Sequence, residues 1–198
     1  MREEFKIAYE KAAGVLERIG YNKNEMISTS AVIYAVEQLL NVDVKFTDFN
    51  FRNLSKNSKV DFGDYGAAMC VSGPEGKRKA IILLNERETP EMKRFSLVHE
   101  LGHLMTQESL KTGSFQVSTH IDMDITSIPD EILDEQSNKF LIDEQIANIF
   151  ALLVLIPYDM LCYELEEVAK KKKSLEEVAD FFGVEISALF SRLKIEEV

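Results

Sequence analysis

Two histidines four residues apart, with a glutamate directly after the first, set the tightest constraint in this chain: His99-Glu100-Leu101-Gly102-His103. Residues four apart on an α-helix lie about 40° apart around the axis and one turn along it, so both imidazoles can share one metal ion. Glu100 projects beside them, where it can take a proton from a water on that metal. The neighbouring residues call for the helix. At about 100° per residue from Phe95, the apolar Leu97, Val98, Leu101, Leu104 and Met105 fall within one half-turn. His99, His103 and Glu100 fall outside it, at roughly 40°, 80° and 140°. Gly102 sits inside the apolar arc, where a missing side chain permits close backbone approach. The chain has three histidines, and two are spent here. The bland alternative, surface histidines on a charged helix, fits poorly with so apolar a segment.

A tetrahedral catalytic zinc needs a third protein ligand and an open fourth position. His120 is the remaining histidine, 17 residues after His103 and without a helix to hold it. Glu144 is the better candidate. From Ile146 to Ile156 the chain is apolar on nearly every side, interrupted only by Asn148, one turn from Glu144. A carboxylate and an amide at the mouth of a buried helix are costly unless paired, and a metal supplies that pairing for Glu144. Asn148 can then hydrogen-bond a ligand imidazole from behind. The alternatives are Asp143 as ligand, or Glu144 as an exposed glutamate at the start of a helix. Tyr65, Tyr158 and His120 are each conceivable as a donor to a developing oxyanion.

Composition bounds the rest. A chain of 198 residues, 45% hydrophobic and 29% charged, can bury one core, with or without a small appendage. It is not disordered or low-complexity in composition. The longest apolar run, residues 149–157, is half the roughly 18 residues of a membrane span. MREEFKIAYEK at the N-terminus has no signal-peptide core, so the cytoplasm is the expected address. There Cys70 and Cys162 are expected as reduced thiols. A net charge of −11 disfavours nucleic acid and anionic membranes. The basic run Lys170–Lys173 is followed by Glu176, Glu177 and Asp180, as at a solvated helix end.

Periodicity predicts helices over 4–19 and 30–40, ended respectively by Gly20 and by a change of period. Val42, Val44 and Phe46, then Ala68 and Cys70, then Ala80–Leu84 predict three strands in an antiparallel meander. Pro90 opens a helix over about 91–107. Residues 113–126 alternate apolar and polar, as in a further strand or an extended loop arm. Helices follow over 135–156, from Pro157, and in SLEEVADFFGV and EISALFSRLK. The fold class expected is α+β: N-terminal helices over 1–40, a core with a small antiparallel sheet over 41–157, and C-terminal helices over 158–198 in the same compact unit.

The segments RFSLVHELGH (Arg94–His103), EQIANIFALLVLIP (Glu144–Pro157) and VADFFGVEISALFSRL resemble the ImmA/IrrE-type metallopeptidases, gluzincin-like enzymes linked to phage, conjugative elements and bacterial stress responses. The resemblance covers roughly residues 30–195. It implies a zincin-like fold, one Zn2+ per chain on His99, His103 and Glu144, and Glu100 as general base. It further implies endopeptidase action on a protein target, a helix-turn-helix transcriptional repressor cut once in a flexible segment. Direct nucleic-acid binding is not expected. The terminal helix pair has helix-turn-helix rhythm, but from Lys170 to Val198 six basic residues balance six acidic ones, whereas a DNA reader needs donors aimed at phosphates. Residues 106–134, between the second histidine and Glu144, are placed to cover the cleft and gate access. The alternative function is a metal-stabilised antirepressor that acts by docking alone.

Overall fold

The computed structural model describes residues 5–51, 65–73, 78–106, 115–119 and 135–195. Two helices come first, α1 (Lys6–Ile19) and α2 (Thr29–Leu40). Gly20 ends α1 in the left-handed conformation, at φ 61°, which a residue without a β carbon adopts without strain. Three strands follow, β1 (Val42–Phe49), β2 (Tyr65–Ser72) and β3 (Arg78–Asn85). Then come α3 (Pro90–Thr106), β4 (Phe115–Thr119), α4 (Glu135–Leu155), α5 (Tyr158–Ala169), α6 (Leu175–Phe182) and α7 (Ile186–Ile195). The class is α+β.

The sheet corrects the expected meander. Its order is β1-β3-β2-β4, with β1 parallel to β3 and the other two pairings antiparallel. Val42 pairs with Arg78 and Phe49 with Asn85. The most apolar strand, β3, holds an interior position, and its Ala80, Ile82 and Leu84 are buried. Residues 50–64 separate β1 from β2, too many for a tight hairpin, and a parallel pairing needs such a long connection. Alternation within a strand reports which residues share a face, not which strand lies alongside. β4 covers part of the stretch predicted over 113–126; residues 107–114 and 120–134, with His120 and most of the expected gating segment, lie outside the described residues.

One buried cluster runs through the fold, from Phe5, just before α1, and Val15 of α1 through Ile82 of β3 and Val98 of α3 to Leu189 of α7. Its spine is the second half of α4, where Ala147 and every residue from Ile149 to Ile156 are buried. α1 packs along α4, and α3 packs on both α4 and β2. No single helix among the described residues is long and apolar enough to cross a membrane.

The C-terminal helices are tied in by polar contacts. Ser174 and Glu177 form a reciprocal capping box at the start of α6, which satisfies backbone donors that a helix start leaves open. Gly183 turns the chain at φ 62°. Arg192 is wholly buried, and its Nε donates to the Ile156 carbonyl at 3.0 Å. The basic run is largely solvent-exposed, but Lys173 is half-buried, pairs with the buried Glu164 and lies over the Phe181 ring. Cys162 is a free thiol.

Candidate active site

The helix that carries both histidines starts where its sequence says it should. Thr89 accepts a hydrogen bond from the Met92 amide through its hydroxyl, at 3.1 Å. Pro90 takes the first helical position, where a missing N–H costs nothing. From Phe95 to His103 every side chain is buried, so the polar arc is enclosed as well as the apolar one. Arg94 anchors the first turns: it is half-buried, and its Nη2 donates to the Ile27 carbonyl in the loop before α2. Burial pulls its pKa down to about 10.

α3 and α4 run antiparallel, with His99 against Asn148, Gly102 against Ala147 and His103 against Glu144. Gly102 allows this approach. A β carbon there would lie 3.0 Å from Phe150 Cδ1, 3.1 Å from the Ala147 carbonyl oxygen and 3.2 Å from Ala147 Cα.

The two helices bring three side chains to one point. His99 Nε2 and His103 Nε2 are 3.0 Å apart, Glu144 Oε2 is 3.3 Å from His99 Nε2, and Glu144 Oε1 is 3.2 Å from His103 Nε2. Their burial is nearly complete, with 5%, 0% and 2% exposure for His99, His103 and Glu144. Among the described residues they form the one group of three or more His, Cys, Asp or Glu whose donor atoms converge closely enough for a metal ion. Asp143, the alternative ligand, stays outside it.

The donor set fits a metal. Ligands about 2.0–2.2 Å from a tetrahedral zinc stand about 3.3–3.6 Å from one another, and the observed separations lie within a few tenths of an ångström of that. The tautomer fits too. His99 Nδ1 lies 2.8 Å from Asn148 Oδ1; an amide oxygen only accepts, so Nδ1 carries a proton, and Nε2, which otherwise donates to Glu144, is the nitrogen that would face a metal. Burial works against charge on both partners. In Glu144 it is outweighed by hydrogen bonds from His103 and then His99, which hold the carboxyl at about 2. In His99 burial is outweighed chiefly by Glu144, and the pKa is raised. Glu100 is wholly buried, and its charge acts on His99.

The three oxyanion candidates divide. Tyr65 opens β2 and pairs in register with Thr119 of β4. His120 lies outside the described residues. Tyr158 is not brought to the site: it starts α5 beyond the far end of α4, and at about 1.5 Å per residue Glu144 and Leu155 are already about 16 Å apart. It is 59% exposed and borders a surface hollow with Tyr9, Leu16, Leu153 and Arg192.

Residues 37–194 match the model of the peptidase M78 family, described as the IrrE N-terminal-like domain. No curated protein matches the chain. The match takes in both helices that meet at His99, His103 and Glu144, together with the whole sheet and the C-terminal helices. The chain belongs to the IrrE N-terminal-like family of M78 metallopeptidases.

Proposed function

We propose that this chain is a zinc endopeptidase that makes a site-specific cut in a protein target. The observation that carries the reading is the convergence of two imidazoles and a carboxylate from antiparallel helices, with the buried Glu100 beside them. His99, His103 and Glu144 would hold one zinc per chain. When bound, zinc supplies Lewis-acid polarisation of the scissile carbonyl and lowers the pKa of water.

The chain's own residues do the rest. Asn148 holds the His99 ring in one orientation and one tautomer. Glu100 accepts the proton of the attacking water and passes it to the leaving amine, which needs a carboxylate held next to the reacting atoms. Full burial places that carboxylate where a proton shift is not diluted by solvent. The target class, a helix-turn-helix repressor of a phage or mobile element acted on in the cytoplasm, rests on the family resemblance.

Metal analysis with mutants tests the reading. About one zinc per chain is expected, lost in both His99→Ala and Glu144→Ala. Glu100→Gln is expected to keep zinc and fold while cleavage of a repressor encoded beside the chain falls about 10²–10⁴-fold. Zinc retained in full by Glu144→Ala would overturn the ligand set. A Glu100→Gln chain that still relieves repression in cells would overturn proteolysis in favour of docking.

A further inference from the structure

Arg94, near the start of the helix that carries both histidines, holds a donor that nothing answers. Its Nη2 donates to the Ile27 carbonyl, but its Nε is buried and has no hydrogen-bond partner among the described residues. Burial is the one influence that shifts its pKa, so no carboxylate works against that shift. A buried N–H without an acceptor is costly, and more so on a charged group.

Two residues close the niche around this nitrogen: Gly183, in the turn between α6 and α7, and Met26, the residue before Ile27. A β carbon on Gly183 would lie 3.4 Å from Arg94 Nε and 2.5 Å from Met26 Sδ. Both atoms stand within 3.4 Å of one point, so the sulfur and the nitrogen are neighbours. A thioether sulfur is only a weak acceptor. The same methionine is open to solvent. Met26 is 47% exposed, whereas Met69, Met105 and Met160 are buried and Met92 is half-buried. Met1 and Met123 lie outside the described residues.

Oxidation changes what this side chain offers. The sulfur lone pair attacks one oxygen of hydrogen peroxide; an S–O bond forms, the O–O bond breaks, and the departing hydroxide takes the remaining proton to leave as water. The sulfur loses two electrons and the peroxide gains them. The sulfoxide is polar, and sulfoxide reductases reverse its formation. In a packed core such a group disrupts its surroundings. Here the new oxygen forms beside a donor that lacks an acceptor.

We propose that Met26 is a reversible oxidation site whose sulfoxide accepts a hydrogen bond from Arg94 Nε. The modification fastens the loop before α2 to the start of α3. The inference does not depend on the peptidase reading.

The test treats the full chain with hydrogen peroxide at one fixed zinc content. Peptide mass mapping reads which methionines gain oxygen, and thermal unfolding reads the result against Met26→Leu treated equally. Met26 is expected to oxidise about tenfold or more faster than Met69, Met105 and Met160, as exposure dictates. Treatment is expected to raise the Tm of the wild type by about 2–4 °C relative to Met26→Leu, the shift of about one net hydrogen bond. In Arg94→Leu the relative rise is expected to vanish. Met26→Gln, which sets a carbonyl oxygen close to where the sulfoxide oxygen falls, is expected to melt above Met26→Leu without peroxide, a comparison that stands even where Arg94→Leu does not fold. A treated wild type that gains nothing over Met26→Leu, or a rise that survives in Arg94→Leu, would overturn the proposal. So would oxidation of Met26 no faster than that of the buried methionines, or a Met26→Gln chain no more stable than Met26→Leu.

Discussion

Gly102 and Ala147 face each other so closely that a β carbon on the first would stand 3.1 Å from the carbonyl oxygen of the second. This contact sets the spacing of α3 and α4, and with it the distance from Glu144 to the two imidazoles. Gly102→Ala gains helix propensity of about 1 kcal/mol against an overpacking cost of about 1–3 kcal/mol, so it is expected to lose between about 0 and 2 kcal/mol. Gly102→Val adds bulk without the same gain and is expected to lose about 1–3 kcal/mol and to bind zinc more weakly. Urea denaturation of the metal-free protein and a zinc titration measure the two effects. A Gly102→Val chain with unchanged stability and zinc affinity would mean that the helices are not in close contact.

Asn148 governs the other face of His99. Asn148→Ala removes the acceptor at 2.8 Å and is expected to weaken zinc binding about 10–100-fold with the fold intact. Asn148→Asp keeps an acceptor and adds charge, so affinity is expected to match or exceed that of the wild type. Competition with a chromophoric chelator reads both. Undiminished affinity in Asn148→Ala would leave this hydrogen bond no part in metal binding.

Glu88, in the turn before α3, carries a pH-dependent stability term. Burial pushes its carboxyl from 4.5 to about 7; the Ser96 hydroxyl and Lys93 pull against this, and Glu185 adds to it. A folded-state pKa above the unfolded one favours the protonated form. The contribution is therefore fully present below about pH 4.5 and is lost as pH rises through about 7. Partial exposure screens the effect to about 1–2 kcal/mol. Glu88→Gln is expected to raise Tm at pH 8 by about 2–8 °C and to leave it unchanged at pH 4. Equal shifts at both pH values would remove Glu88 as the cause.

Arg192 fastens α7 to the end of α4. Arg192→Met keeps length and apolar stem but deletes the charged donor to the Ile156 carbonyl, so a loss of about 1.5–3 kcal/mol is expected. The midpoint of urea unfolding checks it, and an unchanged midpoint would show that the contact contributes nothing net.

The histidine pair and Glu144 were legible for a local reason. A four-residue spacing on an apolar helix fixes mutual position without knowledge of the rest of the chain. Glu144 and Asn148 interrupt an otherwise apolar helix, and such interruptions need partners. The parallel β1–β3 pairing was not legible, because partner choice depends on how a long connection crosses the sheet. Tyr158 looked eligible by chemistry alone; only the length of α4 removes it from the site. Arg192 counted as surface charge in sequence, and only packing reveals it as buried.

The family match opens at residue 37, partway along α2. A protein trimmed to that border would begin inside a helix. It would also lose α1, which packs on α4 and whose Tyr9, Ala12 and Leu16 line a hollow together with Leu153 in the buried half of that helix. The border drawn by shared ancestry is thus not a border of cooperative folding. A fragment made for crystallography or engineering has to keep α1, or replace what it covers, before the helix that carries Glu144 can be trusted to hold its place.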